Sequence, residues 1–304
     1  MNGQSKLKAV KSLKGSPVSS LTVVTWSSLR AQRKALRAER PNDQFMALVL
    51  KGAFRVGRDK ENPIRGNLFA AALRELVTHV LHTLAPDDEL KRCEWYAQEK
   101  DTTGPTRAQR ATYISQGGLL PKFVEEELSL DPKATIKPLT DAMSKLNAVT
   151  HVKSETVLND SRKVLNLGAA SLEALLNLFE SARECRAAVA HKLADHVDQA
   201  VLDRLIGDVV QELDELSTHT IVDEHQSEHL SVIEIGAREV KFEVQGTVFV
   251  TLQYGSGSDR RRGDGAEIDD AFPYRATVTS KAIAPTVFAT EAVDIRVDNS
   301  SFYE

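Results

Sequence analysis

One spacing occurs twice in this 304-residue chain: an arginine followed five positions later by a histidine, at Arg74 and His79 and again at Arg186 and His191. The two residue types suit phosphodiester chemistry without a cofactor, because a neutral imidazole moves a proton while a guanidinium stabilises the charge that builds on phosphorus. Successive residues turn about 100° round a regular helix, so positions five apart stand roughly 140° from each other. Neither pair therefore converges unless its helix is distorted or a second subunit completes the site. A further histidine, His151, closes the apolar segment Lys145-Leu146-Asn147-Ala148-Val149-Thr150. It reads either as a cap on the last carbonyls of a helix or as a proton carrier facing the arginines at 65, 74, 107 and 110, a group suited to holding a phosphate. Arg74, His79 and His151 form the catalytic expectation, and Arg65, Arg107 and Arg110 the nucleic-acid-binding one.

The segment 254–267 sets glycine and serine around acids and three consecutive arginines, between two runs that read as strands. Such a composition permits positive-φ backbone and an ordered charged loop, and Asp259, Arg260, Arg261, Arg262 and Asp264 are expected to grip a partner or a phosphate. Metal readings fare worse. Asp87, Asp88, Glu89 and Lys91 crowd one loop, where a two-strand nuclease site needs its acids on successive strands. His219, His225 and His229 with Glu224 and Glu228 offer zinc-type ligands, but a solvated hinge is the simpler account of that stretch. No metal is expected and no cofactor is assigned; a phosphate-binding P-loop, a G-x-S-x-G elbow and a dinucleotide glycine signature are all missing from the sequence.

The elements that must position these residues follow from apolar periodicity. Residues 29–40 predict a short basic helix capped by Ser27 or Ser28 and closed by Pro41, with Leu29, Ala35 and Leu36 as so thin a stripe that it must dock to persist. A second helix is expected over 43–54. A core helix begins after Pro63 on Leu68, Phe69, Ala72, Leu73, Leu76, Val80 and Leu84, and ends at Pro86. The Trp95 region reads as a strand or a buried insertion, and Gly117-Gly118 as a break. Helical spacing resumes over 122–128, 137–149, 171–190 and 198–216. After a His-rich hinge at 223–229 the period falls to two: 239–245 and 247–253 read as strands joined by a tight turn at Gly246, with two more over 274–283 and 291–297. The fold class is α+β, with a mainly helical amino-terminal domain (21–225) preceded by a basic flexible tail (1–20) and followed by a small antiparallel sheet or sandwich (230–304).

Composition bounds the function. A hydrophobic content of 41% with 27% charged residues is ordinary for a globular protein, and nothing approaches the roughly 20 apolar residues that span a bilayer. The basic, polar start argues against a secretory signal, so the expected compartment is the cytoplasm and no membrane contact is expected. Cys93 and Cys185 are far apart and fit reduced structural thiols. The net charge of −4 hides a basic first third and an acidic remainder. That split suits contact with nucleic-acid phosphates, or docking of one subunit on another in a homo-oligomer.

Several runs resemble a bacterial family. Arg65-Gly66-Asn67-Leu68-Phe69, Leu84-Ala85-Pro86-Asp87, Glu94-Trp95-Tyr96, Thr106-Arg107, Asn147-Ala148-Val149-Thr150-His151, Leu252-Gln253-Tyr254-Gly255-Ser256 and Gly263-Asp264-Gly265-Ala266-Glu267 are similar to predicted nucleases associated with prokaryotic PIWI-like proteins in anti-phage loci, over about residues 60–304. The Arg-x4-His spacing alone also resembles the motif of metal-independent helical ribonucleases of the HEPN group. The first resemblance implies a role in host defence and fixes no catalytic residue. Two functions are expected: a defence-associated nuclease or effector acting on nucleic acid, and a non-catalytic adaptor that binds a defence-system protein through the β module and its 254–267 loop.

Overall fold

The computed structural model describes residues 23–207 and 209–304; the tail expected over 1–20 lies outside the described residues. Helix α1 (Trp26–Glu39) starts earlier than the serines suggested. Thr25 is its cap: the Thr25 hydroxyl accepts from the Ser28 amide at 3.2 Å and the Ser28 hydroxyl accepts from the Thr25 amide at 3.0 Å, a reciprocal box in which the serine is the inner partner. The thin stripe docks as required. Leu29 and Leu36 are buried, and Trp26 meets the rings of Phe54 and Phe69 edge-on at 5.8 Å each. Helix α2 (Gln44–Arg58) is capped by Asp43, which accepts from the Met46 amide at 2.8 Å, and it outruns its expected end at 54. The extra turn carries Gly57, on which the Trp26 and Phe69 rings lie too close for a Cβ.

Helix α3 (Arg65–Leu84) is the central core helix, followed by the short α4 (Asp87–Lys91) and by α5 (Arg107–Gln116). The Trp95 region is neither strand nor helix; its indole N–H donates to the Gly117 carbonyl at 2.9 Å and so pins the turn after α5. Gly117 has φ of +59°, and a Cβ there would strike the Ile235 carbonyl, so this glycine lets the helical body touch the tip of the sheet. The 122–128 stretch winds as one π-turn (Phe123–Glu127). Helix α6 (Pro132–Thr150) begins five residues earlier than its apolar spacing showed, because Pro132 occupies the first turn, where a missing N–H costs nothing, while Pro138 obscures the pattern.

Helix α7 (Ser161–Gly207) merges two expected helices into one of 47 residues, about 70 Å long at 1.5 Å per residue. Val189, Leu193, Val197 and Val201 stay buried at four-residue intervals straight through the expected break. The rod serves two cores. Its first half, to Phe179, packs with α1, α2, α3 and α6; from Cys185 onward it packs under the sheet. Both cysteines are free and buried, and burial pushes each thiol to about 12, which leaves them unreactive.

After the short α8 (Gln211–Asp214) come β1 (His219–Ile235), β2 (Glu239–Tyr254), the one-turn α9 (Gly257–Arg262), β3 (Ala266–Lys281) and β4 (Val293–Val297), an antiparallel sheet in the order β1-β2-β3-β4. Two expectations are corrected here. The His-rich 223–229 stretch is strand, not hinge: it runs along an edge of the sheet with one solvated face, and three bulges break its alternation. Gly246 makes no turn but lies mid-strand in β2, opposite Tyr274. Tyr274 crosses over the glycine, and its hydroxyl lies 3.0 Å from Ser227 Oγ and 3.1 Å from His225 Nδ1, while Ser227 donates to Asp198 of α7 at 2.6 Å. This polar latch joins the rod to the sheet. Replacing Gly246 with alanine would bring a Cβ onto the Gln226 carbonyl and within 2.8 Å of the tyrosine hydroxyl. The expected cost is about 1–3 kcal/mol, read as a lower urea midpoint with unchanged slope.

Candidate functional site

An open cleft of about 790 Å³ lies between the end of α3, the 99–106 loop, the first turn of α5 and the outer face of α6; His82, Asp87, Glu99, Arg107, Arg110, Ser144 and Asn147 line it. Local sequence builds the cleft. Thr106 caps α5 in a box with Gln109, whose side-chain oxygen accepts from the Thr106 amide at 2.9 Å while its amide group donates to the Ala97 carbonyl at 2.7 Å. Thr106 also donates to Glu99 at 3.0 Å, which straps the loop onto the helix. Arg107 therefore sits at the first helical position, exposed, where the positive end of the helix dipole adds to its own charge.

Arg110 is one turn further and 3% exposed. It donates to the Ala85 carbonyl and to an Asp87 carboxylate oxygen, tying the junction of α3 and α4 to α5. Its Nε–H is buried with no acceptor among the described residues. The hydrogen bond and charge of Arg110 hold the Asp87 carboxyl below its ordinary range. His82, in the last turn of α3, is held below the ordinary imidazole value by partial desolvation, then by the charge of Arg110 and, more weakly, of Arg107, with Asp87 opposing. Its ring is thus neutral near pH 7 and ready to accept a proton, with the exposed Arg107 guanidinium lining the same cleft. The Arg110→Met variant is expected to raise the His82 value and Asp87→Asn to lower it further; opposite shifts in an NMR titration of the His82 ring protons check both signs.

The cleft unites two of the three expected nucleic-acid-binding arginines. The third, Arg65, is 3% exposed and consumed by the fold: it donates to Asn159 Oδ1 at 3.1 Å, the Asn159 carbonyl at 3.0 Å and Ser161 Oγ at 2.7 Å. Arg74 pairs with its neighbour Glu75 at 2.6 Å. His79 lies 2.9 Å from an Asp43 carboxylate oxygen and steadies the start of α2, so the two do not meet. Asp43 is held below its usual range: partial burial works against this, and the Met46 amide and His79 outweigh it. His151 is the exposed cap residue of α6, its carbonyl accepting from Thr156 Oγ1 at 2.6 Å, and one turn earlier Asn147 lines the cleft in its place. Arg186 and His191 are exposed on the unbroken α7.

From the sequence His82, like His79, reads only as a surface residue because no spacing rule marks it, and it is exposed in the last turn of α3. The 254–267 segment holds α9, whose start is fastened by Asp259 accepting from the Ser256 amide at 2.9 Å and hydroxyl at 2.6 Å. Arg261, Arg262 and Asp264 are exposed at this end of the sheet. Among the described residues no three His, Cys, Asp or Glu side chains gather as a metal-binding group, and no helix is long and apolar enough to cross a membrane.

Fold and cleft together define an α+β protein whose helical body carries a polar groove with a histidine, two arginines and three acids beside a four-stranded antiparallel cap. Two family models, both described as predicted pPIWI-associating nuclease, match residues 38–175 and 182–303, and the chain belongs to that family. The gap between the matches falls inside α7, where the rod passes from one core to the other. No curated protein and no solved structure matches the chain.

Proposed function

We propose that this protein is a defence-associated nuclease that takes a nucleic-acid backbone into the α3/α5/α6 cleft, with His82 as the proton carrier and Arg107 as the cation on the reacting phosphate. Arg110 acts as a positioning residue that holds Asp87 and lowers the His82 proton affinity. The observation that carries this reading is the convergence of Arg107 and Arg110 on one neutral histidine in a single cleft. The family description supports a nuclease-like role. Purified protein incubated with end-labelled RNA and DNA, in magnesium and in EDTA, tests it: cleavage by the wild type that disappears in the Arg107→Ala variant is expected, and cleavage undiminished in that variant would refute the assignment.

The expected partner role belongs to the sheet. Exposed Arg261 and Arg262 stand beside the Asp259-fastened turn at this end of the sheet, and the family description names pPIWI association. Removal of 257–264 should abolish capture by a co-expressed pPIWI protein while leaving cleavage intact.

A further inference from the structure

Helices α1 and α2 carry basic stripes of identical spacing. Arg30, Lys34 and Arg37 on α1, and Lys51, Arg55 and Arg58 on α2, stand at i, i+4 and i+7, and all six are exposed. Each stripe runs along one helix face for about 10 Å, at 1.5 Å rise per residue. The two helices together hold seven basic residues and one acid, Glu39, which is already paired with Arg183 at 2.6 Å. The seventh base, Arg33, stacks 5.0 Å over the Phe54 ring, so it fastens α1 to α2 beside the stripes. Among the described residues the six stripe side chains make no ion pair, so their charges face solvent uncompensated.

The stripes also have a position relative to the cleft. The turn between the two helices is held by Arg40 on Asp43 at 3.2 Å, and Asp43 in turn meets His79. His82 lies three residues beyond His79 on the same helix, about 4.5 Å along its axis. The basic hairpin thus ends one helical turn from the histidine of the cleft.

We propose that the α1–α2 hairpin is a sequence-independent docking surface for the phosphate backbone of a nucleic acid, separate from the cleft and leading into it. Six exposed bases that make no ion pair among the described residues match a polymer that presents a negative charge about every 1.7 Å of duplex axis. The choice of ligand rests on the nucleic-acid reading of the cleft; the surface itself does not use His82 or Arg107.

The test is fluorescence anisotropy with a labelled 30-nucleotide RNA and a 30-base-pair DNA duplex across a sodium chloride series. It compares the wild type, the triple variant Arg30→Gln/Lys34→Gln/Arg37→Gln, the triple variant Lys51→Gln/Arg55→Gln/Arg58→Gln, and His82→Ala. Each triple variant is expected to bind at least tenfold more weakly at 0.1 M salt. The slope of log K against log salt should become about 2–3 shallower, from roughly 0.9 per lost duplex contact and 0.7 per lost single-strand contact. His82→Ala should bind as the wild type does. Wild-type affinity and slope in both triple variants overturn the proposal. So does unchanged nucleic-acid binding with loss of self-association in sedimentation, which assigns the face to an acidic protein surface. Intact cleavage in His82→Ala with the hairpin effects present would instead refute the cleft and leave the docking surface standing.

Discussion

Replacing His82 with alanine is expected to lower the single-turnover cleavage rate about 10²- to 10⁴-fold, the range that a positioned general base or acid contributes. His82 is exposed at the end of α3, so the substitution opens no cavity, and the thermal transition should stay within about 1 °C of wild type because surface changes of this kind cost at most ~0.5 kcal/mol. The pH profile separates a proton carrier from a mere contact. Desolvation and the two arginines disfavour the protonated ring, so the free-base form persists to lower pH than in an isolated histidine. The acid limb of the wild-type rate should therefore lie below the usual value near 6.5, with activity falling as the ring gains its proton. Arg110→Met removes the larger disfavouring charge and should move that limb upward. A His82→Ala protein that cleaves at the wild-type rate with an unchanged acid limb would exclude the histidine from the chemistry.

The second large effect concerns the first core. Phe69 is completely buried, meets Trp26 and Phe54 edge-on at 5.8 and 6.2 Å, and lies against Gly57 of α2 and Gly168 of α7 so tightly that neither glycine has room for a Cβ. One ring thus fills the junction of α1, α2, α3 and α7. Phe69→Ala is expected to cost about 3–5 kcal/mol, transfer and cavity together, which corresponds to a fall in Tm of roughly 6–20 °C at this size. Phe69→Leu, which retains most of the buried apolar volume, should recover more than half of the loss. Loss of α1 from the helical signal ahead of the main transition would be the spectroscopic mark. A shift of less than 2 °C would mean that the junction is held by something other than this ring.

Where local pattern and final environment agree, the sequence was readable. The stripe from Phe69 to Val80 marked α3, Pro86 marked its end, and the change of period after 230 marked the sheet, because burying one face of a helix or strand imposes that period on the chain. The errors fall where a polar or small residue serves a long-range contact. Gly246 resembled a turn because the chain alone cannot show Tyr274 lying across it. The His-rich run resembled a hinge because a solvated edge strand with bulges loses its alternation. The gap expected inside α7 vanished because the run from Val189 to Val201 buries against the sheet that follows it in sequence.

The chemical groups divide in the same way. The sequence by itself determined the α+β order and the basic first third, since charge and apolar periodicity are properties of the chain. Tertiary structure alone decided which cations stay exposed and which histidine shares a cleft with them. Arg65, equally basic on paper, is folded in against Asn159 and Ser161. Arg74 and His79 turn to Glu75 and Asp43. His82 gains its lowered proton affinity from partial desolvation and then from arginines 28 and 25 residues away. Electrostatic fields fall off with distance through space and not along the chain, so a site made of such couplings exists only once the helices have packed.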